Sequence, residues 1–171
     1  MKKAGMLHLS LITLTLIGFL AAVPAPAVAI TIPAKVPSCQ AIGQAVRNAH
    51  GLVASVEDNT EAIHKLGGQS PYTVYRACEV HLVGNKLPLI ITVNGPMNKQ
   101  FMEGMSKFAE LHGVHPRKLD GTGYGDMAYL IPQIGGGTAI NALKGSLLLS
   151  VGASTSAQET ESITEQIIRL M

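Results

Sequence analysis

The chain contains two cysteines, Cys39 and Cys78, and a bond between them would constrain the fold more than any other feature of the sequence. Two cysteines allow a single pairing, which here closes a loop of about 40 residues. Distant cysteines without a C-x-x-C spacing are more typical of a structural disulfide than of a redox pair or of metal thiolates. The bond requires an oxidising compartment, so it depends on whether the chain is exported.

The first 29 residues have the composition of a secretory signal peptide. Lys2 and Lys3 precede a mostly apolar segment, Met6 to Leu20, and Ala27-Val28-Ala29 supplies the small residues that signal peptidase requires. We expect cleavage before Ile30 and an exported protein, periplasmic or secreted. The apolar segment is shorter than the ~20 residues of a spanning helix, which disfavours the alternative of an uncleaved anchor.

The remaining residues are predicted to form one domain without net charge. Lys2 and Lys3 are two of the 13 basic residues, so the other 11 balance the 11 acidic residues. A neutral surface lacks the basic patch that binds nucleic acid or anionic lipid, and we therefore expect neither partner. Residues 30–37, with two prolines, read as an extended lead-in, and residues 38–171 have the length of one ordinary domain.

Helix start signals occur at three places along this domain. Ser38 precedes a helical pattern over Cys39–His50, and Asn98 precedes another that runs to His112. Ser156 and Glu159 have the spacing of a capping box, which predicts a last helix.

The second of these helices carries an apolar stripe at helical spacing, formed by Phe101, Met105, Phe108 and Leu111. We expect this stripe to be buried against the sheet.

Runs of β-branched and aromatic residues between turn signals predict the strands. They cover Leu52–Val56, Tyr72–Val83, Lys86–Val93, Met127–Ile131, Thr138–Leu143 and Ser146–Gly152. Gly84-Asn85 is a two-residue hairpin signal, and residues 57–70 read as a loop with one helical turn. Strands joined by short turns pair antiparallel, so the predicted class is α+β. We expect an antiparallel sheet of hairpins with helices packed on one face, a two-layer sandwich.

The sequence lacks the usual catalytic motifs, and it indicates no cofactor. Three glycines, Gly121, Gly123 and Gly125, would suit a phosphate-binding loop if a helix followed them. A strand pattern follows instead, which favours a tight turn over a phosphate site.

His112 and His115 offer one hypothesis for a metal site. They lie three residues apart, with Asp120 and Asp126 nearby in the chain. The simpler interpretation is a pair of solvent-facing histidines at a helix terminus, where a cation suits the helix dipole.

Four residues are candidates for a binding surface: Tyr75, His81, Tyr124 and Asp126. Tyr75 and His81 fall on the strand face opposite Cys78, because strand residues alternate between faces. Tyr124 and Asp126 belong to the glycine-rich turn.

Three of these features together resemble a group of bacterial exported domains of uncharacterised function, common as actinobacterial lipoproteins. The features are Cys39 opening the first helix, Cys78 on a strand, and the Gly-x-Gly-Asp-x-Ala motif at 123–128. The resemblance implies an α+β fold with a structural disulfide, and it provides no catalytic residues. The group is often lipidated, whereas Cys39 lies too far beyond the apolar segment for lipid attachment.

The favoured function is an exported, non-enzymatic binding or accessory module of the cell envelope, with a protein or a small ligand as its partner. One alternative is a periplasmic metal-binding protein that uses His112 and His115. The other is a small hydrolase or isomerase without a recognised motif.

Overall fold

A computed structural model describes residues 30–66, 72–133, 136–153 and 155–171. The predicted signal peptide, residues 1–29, lies outside the described residues. Within these ranges the helices are α1 (Cys39–His50), α2 (Thr60–Leu66), α3 (Lys99–Leu111) and α4 (Ala157–Ile168). The strands are β1 (Val53–Asp58), β2 (Thr73–Leu82), β3 (Leu89–Gly95), β4 (Arg117–Leu119), β5 (Met127–Pro132), β6 (Thr138–Lys144) and β7 (Leu147–Ala153).

The strands form one antiparallel sheet in the order β1-β2-β3-β7-β6-β5-β4. Strands that follow each other in the chain pair as two meanders, β1–β3 and β4–β7. The meanders join where β3 pairs with β7, as at Ile91 opposite Val151. The predicted α+β class, with an antiparallel sheet and a helix layer, is confirmed.

The main core lies between one face of the sheet and the pair α1 and α4. Ile42 and Val46 on α1 and Ile163 and Ile167 on α4 are fully buried there, as is Ile91 on β3. Burial of this apolar surface is the main source of stability for the sandwich.

The predicted disulfide between Cys39 and Cys78 is present and buried in this core. It joins the first residue of α1 to the middle of β2. Ser38 fixes the start of α1, since its hydroxyl accepts a hydrogen bond from Ala41 N at 3.2 Å.

The other two predicted helix starts are also confirmed. The Asn98 side chain accepts a hydrogen bond from Phe101 N at 2.8 Å. Ser156 and Glu159 form both bonds of a capping box at the start of α4.

Two predictions around β1 and β2 differ from the structure. β1 continues to Asp58, and Thr60 begins a two-turn helix where a loop with one turn was expected. β3 begins at Leu89, opposite Val80, and not directly after a two-residue hairpin at Gly84-Asn85. Pro88 explains the later start of β3, because proline has no N–H to donate to the neighbouring strand.

The predicted alternation of β2 also fails at one residue, Tyr75. The pairing of β2 with β3 shifts by one residue between Val74 and Arg76, which makes Tyr75 the extra residue of a β-bulge. Tyr75 consequently packs against the main core, on the side of Cys78.

Two further helices contact the opposite face of the sheet. Leu143 and Leu148 alternate with core residues of β6 and β7, and they form a second apolar cluster with Met97 and Met102. This cluster lies beneath α3. α2 borders the same face at the other end of the sheet, beside Ala77 and Thr92.

None of the helices in the described ranges is long and apolar enough to cross a membrane.

Candidate functional site

An apolar groove lies between α3 and strands β5 and β6, on the face of the sheet away from α1 and α4. Its volume is about 440 Å³. Its lining consists of Phe101, Gly104, Met105, Phe108, Ile131 and Asn141. We call this feature the α3 groove.

Few contacts hold α3 on the sheet, and they determine how the helix is rotated. Met97 N donates a hydrogen bond to Ser146 O at 2.8 Å, which ties the segment before the helix to the β6–β7 turn. Met102 is fully buried on Leu143 and Leu148, and Ser106, one turn later, is also buried. Met102 and Ser106 therefore mark the side of α3 that touches the sheet.

The predicted stripe of α3 is buried only in part: Phe101 and Met105 pack against the second apolar cluster, whereas the expectation was wrong for Phe108 and Leu111. Phe108 is 63% exposed and Leu111 is 83% exposed, whereas Phe101 and Met105 are half-buried. At 3.6 residues per turn, Phe101, Met105 and Phe108 lie about 60–120° around the helix from Met102. Since the helix rests on Met102, its aromatic side faces the groove and the solvent.

Both ends of the α3 groove contain aromatic contacts. At one end, the ring of Phe101 meets the ring of Tyr72 edge to face at 6.0 Å between centroids. At the other end, Phe108 contacts the imidazole of His112 at 4.2 Å. Nδ1 of His112 also lies 2.8 Å from Phe108 O. These contacts limit the positions of the two phenylalanine rings.

Polar character in the groove comes from one side chain, Asn141 of β6, which is half-buried. The charged residues of α3, among them Glu103 and Lys107, are exposed outside the lining. The groove thus offers hydrocarbon surface with one amide, a composition that is typical of sites for small ligands.

His112 and His115 do not form a metal site with a third ligand among the described residues. His112 caps α3 and contacts Phe108, and His115 is exposed in the following loop. Asp126, suggested as a further ligand, instead accepts a hydrogen bond from Gly145 N at 2.7 Å. The one group of three potential metal ligands in the described ranges does not include these residues.

The four residues predicted for a binding surface do not all lie together. Tyr75 borders a separate cavity of about 280 Å³ beside Lys144. Asp126 accepts a hydrogen bond from Gly145 N, and Gly145 lines the same cavity as Tyr75. His81 is on β2, on the face of the sheet opposite this core.

Tyr124, the fourth of these residues, packs against α4 and the main core. Its hydroxyl donates a hydrogen bond to Glu161 Oε2 at 3.3 Å. Burial raises the pKa of the Tyr124 phenol, and the neighbouring carboxylates of Glu165 and Glu161 raise it further. A phenol that is held protonated between two carboxylates acts here as a hydrogen-bond donor.

His81 lies beside two carboxylates that no sequence pattern indicated. Its Nε2 atom is 3.6 Å from Glu57 Oε1 and 3.8 Å from Glu79 Oε2. Alternation along β2 places Glu79 and His81 on one face, but only the pairing of β1 with β2 brings in Glu57. The α3 groove was missed for a similar reason, because helical spacing does not determine which side of a helix meets a sheet.

Comparison with protein-family models, with curated proteins and with solved structures finds no match for this chain. The fold and the geometry of its surfaces therefore carry the functional argument.

Proposed function

We propose that this protein is an exported, non-enzymatic binding module of the cell envelope, and that it holds a small apolar ligand in the α3 groove. Export is supported by the signal-peptide composition of residues 1–29 and by the Cys39–Cys78 disulfide, which requires an oxidising compartment. Ligand binding is supported chiefly by one observation, the apolar side of α3 that faces the groove.

The apolar side of α3 exposes hydrocarbon to water, which is unfavourable unless a partner covers it. Phe108 and Leu111 expose large hydrophobic side chains next to the groove, although the opposite side of α3 is charged. Exposed apolar side chains that adjoin an apolar groove are a feature of ligand-binding sites.

The size and lining of the groove favour a small ligand with a hydrocarbon part. A volume of about 440 Å³ lies within the ~300–1,000 Å³ range of small-molecule sites. Phe101, Met105 and Ile131 provide apolar contacts, and the Asn141 amide provides one hydrogen-bonding group. A single hydrocarbon chain with a polar end matches this arrangement.

Dodecanoate is a suitable probe, and Gly104→Leu is the variant that fills the groove. A Cβ atom built on Gly104 has no heavy atom within 4 Å, so a side chain can start there without a clash. We expect saturable calorimetric binding to the wild type and at least a tenfold loss of affinity in Gly104→Leu. The methyl resonance of Met105 should shift on binding, whereas that of Met171, which lines another cavity, should not.

The matched control is Glu103→Leu, which adds the same side chain to the same helix outside the lining. It should bind dodecanoate as the wild type does. Equal binding by Gly104→Leu, or no saturable binding by the wild type, would contradict the proposal. A concentration-dependent dimer that Phe108→Ser dissociates would assign the apolar side of α3 to a second copy of the chain, and would likewise overturn it.

A further inference from the structure

Two glutamates face each other across the first strand pair. Glu57 of β1 is directly opposite Glu79 of β2 in the antiparallel register. Directly opposed side chains have Cβ atoms about 4.5–5.5 Å apart, so like charges there destabilise the pair. Among the ion pairs of the described residues, both carboxylates have one partner, the imidazole of His81.

From this arrangement we infer that Glu57, Glu79 and His81 form a binding site for a divalent transition-metal cation of the zinc class. One carboxylate oxygen from each glutamate and one imidazole nitrogen all lie within 4.8 Å of one another. Ligands at about 2.0–2.2 Å around a tetrahedral zinc ion are some 3.4 Å apart. The two measured distances from His81, 3.6 and 3.8 Å, are already close to that spacing.

The backbone beneath Glu79 and His81 is fixed by the core, and Glu57 is held by the pairing of β1 with β2. Val80, between Glu79 and His81, is fully buried, and so is Cys78, which the disulfide attaches to α1. Ligands on paired strands are positioned more accurately than ligands on loops. The glutamate side chains are partly exposed, which leaves their carboxylates free to move into coordinating positions.

The chemistry of the ligands selects the kind of cation. An imidazole nitrogen suits zinc and its neighbours in the periodic table, whereas magnesium and calcium prefer sites made of oxygen atoms alone. Two carboxylates balance the charge of a divalent ion. Because the cluster is open to solvent, water can fill the remaining coordination position.

The inference is independent of the proposed ligand of the α3 groove, because the three residues are on β1 and β2 and the groove is at β5 and β6. It also differs from the site suggested by the sequence, which used His112 and His115.

The test is a titration of Zn²⁺ into oxidised, chelator-treated protein at about pH 7.5, where metal ligands of this type are available for coordination. We expect one ion per chain by calorimetry, a shift of the His81 imidazole ¹⁵N resonances, and a rise in Tm with added zinc. His81→Ala should weaken binding at least tenfold.

Glu57→Gln separates metal binding from a structural role of the cluster. Without zinc, this variant should have a higher Tm than the wild type, because it removes the repulsion between Glu57 and Glu79. With zinc, it should lose the rise in Tm that the wild type shows.

The double variant His112→Ala/His115→Ala is the matched control, and it should retain the zinc affinity of the wild type. Equal affinity in His81→Ala and the wild type would overturn the inference, as would unchanged His81 resonances at saturating zinc. Loss of binding in the double variant alone would place the metal at the end of α3 and would overturn it as well.

Discussion

Asp58 connects β1, α2 and β2 through hydrogen bonds from a single carboxylate. Its Oδ1 atom accepts from Thr60 N at 3.0 Å and from the Thr60 hydroxyl at 2.5 Å, and its Oδ2 atom accepts from Arg76 at 3.0 Å. The Thr60 hydroxyl in turn accepts a hydrogen bond from Ala77 N at 3.0 Å. The last residue of β1 is thus hydrogen-bonded both to the first residue of α2 and to β2.

Replacing Asp58 by alanine should lower the free energy of unfolding by about 1–3 kcal/mol. The loss leaves the largely buried Arg76 guanidinium without its ion pair, and an unpaired polar group of this kind has a large desolvation cost. Urea denaturation measures the difference. Glu61→Ala, which removes an exposed pair with Lys65, is the control and should be close to the wild type. A similar small effect for both variants would show that the Asp58 contacts contribute little.

The contribution of Asp58 should also depend on pH in a defined direction. Partial burial alone would raise the pKa of the Asp58 carboxyl. Hydrogen bonds from Thr60 and the charge of Arg76 outweigh that effect and lower the pKa below its ordinary value of 3.8. The carboxylate therefore stabilises the fold above about pH 3.8, and this stabilisation is lost as the pH falls through the lowered pKa. The difference in urea midpoint between the wild type and Asp58→Asn should shrink as the pH falls below about 3.8, and a constant difference would contradict this assignment.

At the scale of the element, the three helix starts could be predicted because each depends on residues within one turn. Ser38, Asn98 and Ser156 all cap the helices that their sequence positions indicated. The rotation of α3 could not be predicted, because it depends on Met102 meeting residues of β6 and β7 that are far away in the chain.

Two helix glycines should respond to alanine in opposite ways. A Cβ atom on Gly43 of α1 would lie 2.4 Å from Val56 Cγ2, so the valine or its strand must shift, and a β-branched side chain has few alternative rotamers. Gly43→Ala should therefore destabilise the protein by about 1–3 kcal/mol, in spite of its better helix propensity. Gly104→Ala on α3 meets open space and should stabilise it by about 0.5–1 kcal/mol. Thermal unfolding shows whether each variant has a higher or a lower Tm than the wild type. A higher Tm for Gly43→Ala would show that β1 can move away from α1.

The disulfide should contribute more to stability than any single contact of α1. It closes a loop with a sequence separation of 39 residues, for which chain entropy gives about 3–4 kcal/mol. Cys39→Ser/Cys78→Ser should lose about that amount in urea denaturation. Reductant should lower the midpoint of the wild type and leave that of the double variant unchanged. If the wild type keeps its urea midpoint after the disulfide has been fully reduced, this expectation is contradicted.

At the scale of the whole molecule, the class of fold could be predicted and the assembly of the sheet could not. Short turns from β2 to β3, from β5 to β6 and from β6 to β7 force these neighbours to pair, which is a local property of the sequence. The junction of β3 with β7 joins segments more than 50 residues apart, as at Ile91 and Val151, and no local pattern specifies it. The Glu57–Glu79 pair and the α3 groove both depend on pairings or packings of this long-range kind.

Signal cleavage and the Cys39–Cys78 bond would both be visible in the mass of the protein. Protein purified from the cell envelope should begin at Ile30, after the Ala27-Val28-Ala29 site. Its denatured mass should be about 2 Da below that of the reduced sequence, because the Cys39–Cys78 bond removes two hydrogen atoms. A lipid on Cys39 is not expected, because a sulfur atom that is bonded to Cys78 and buried in the core has no valence left for a thioether. Intact-mass spectrometry checks the three points together. A chain that still begins at Met1, or one with a lipid and a free Cys78, would refute the exported, disulfide-bonded form on which the proposed function rests.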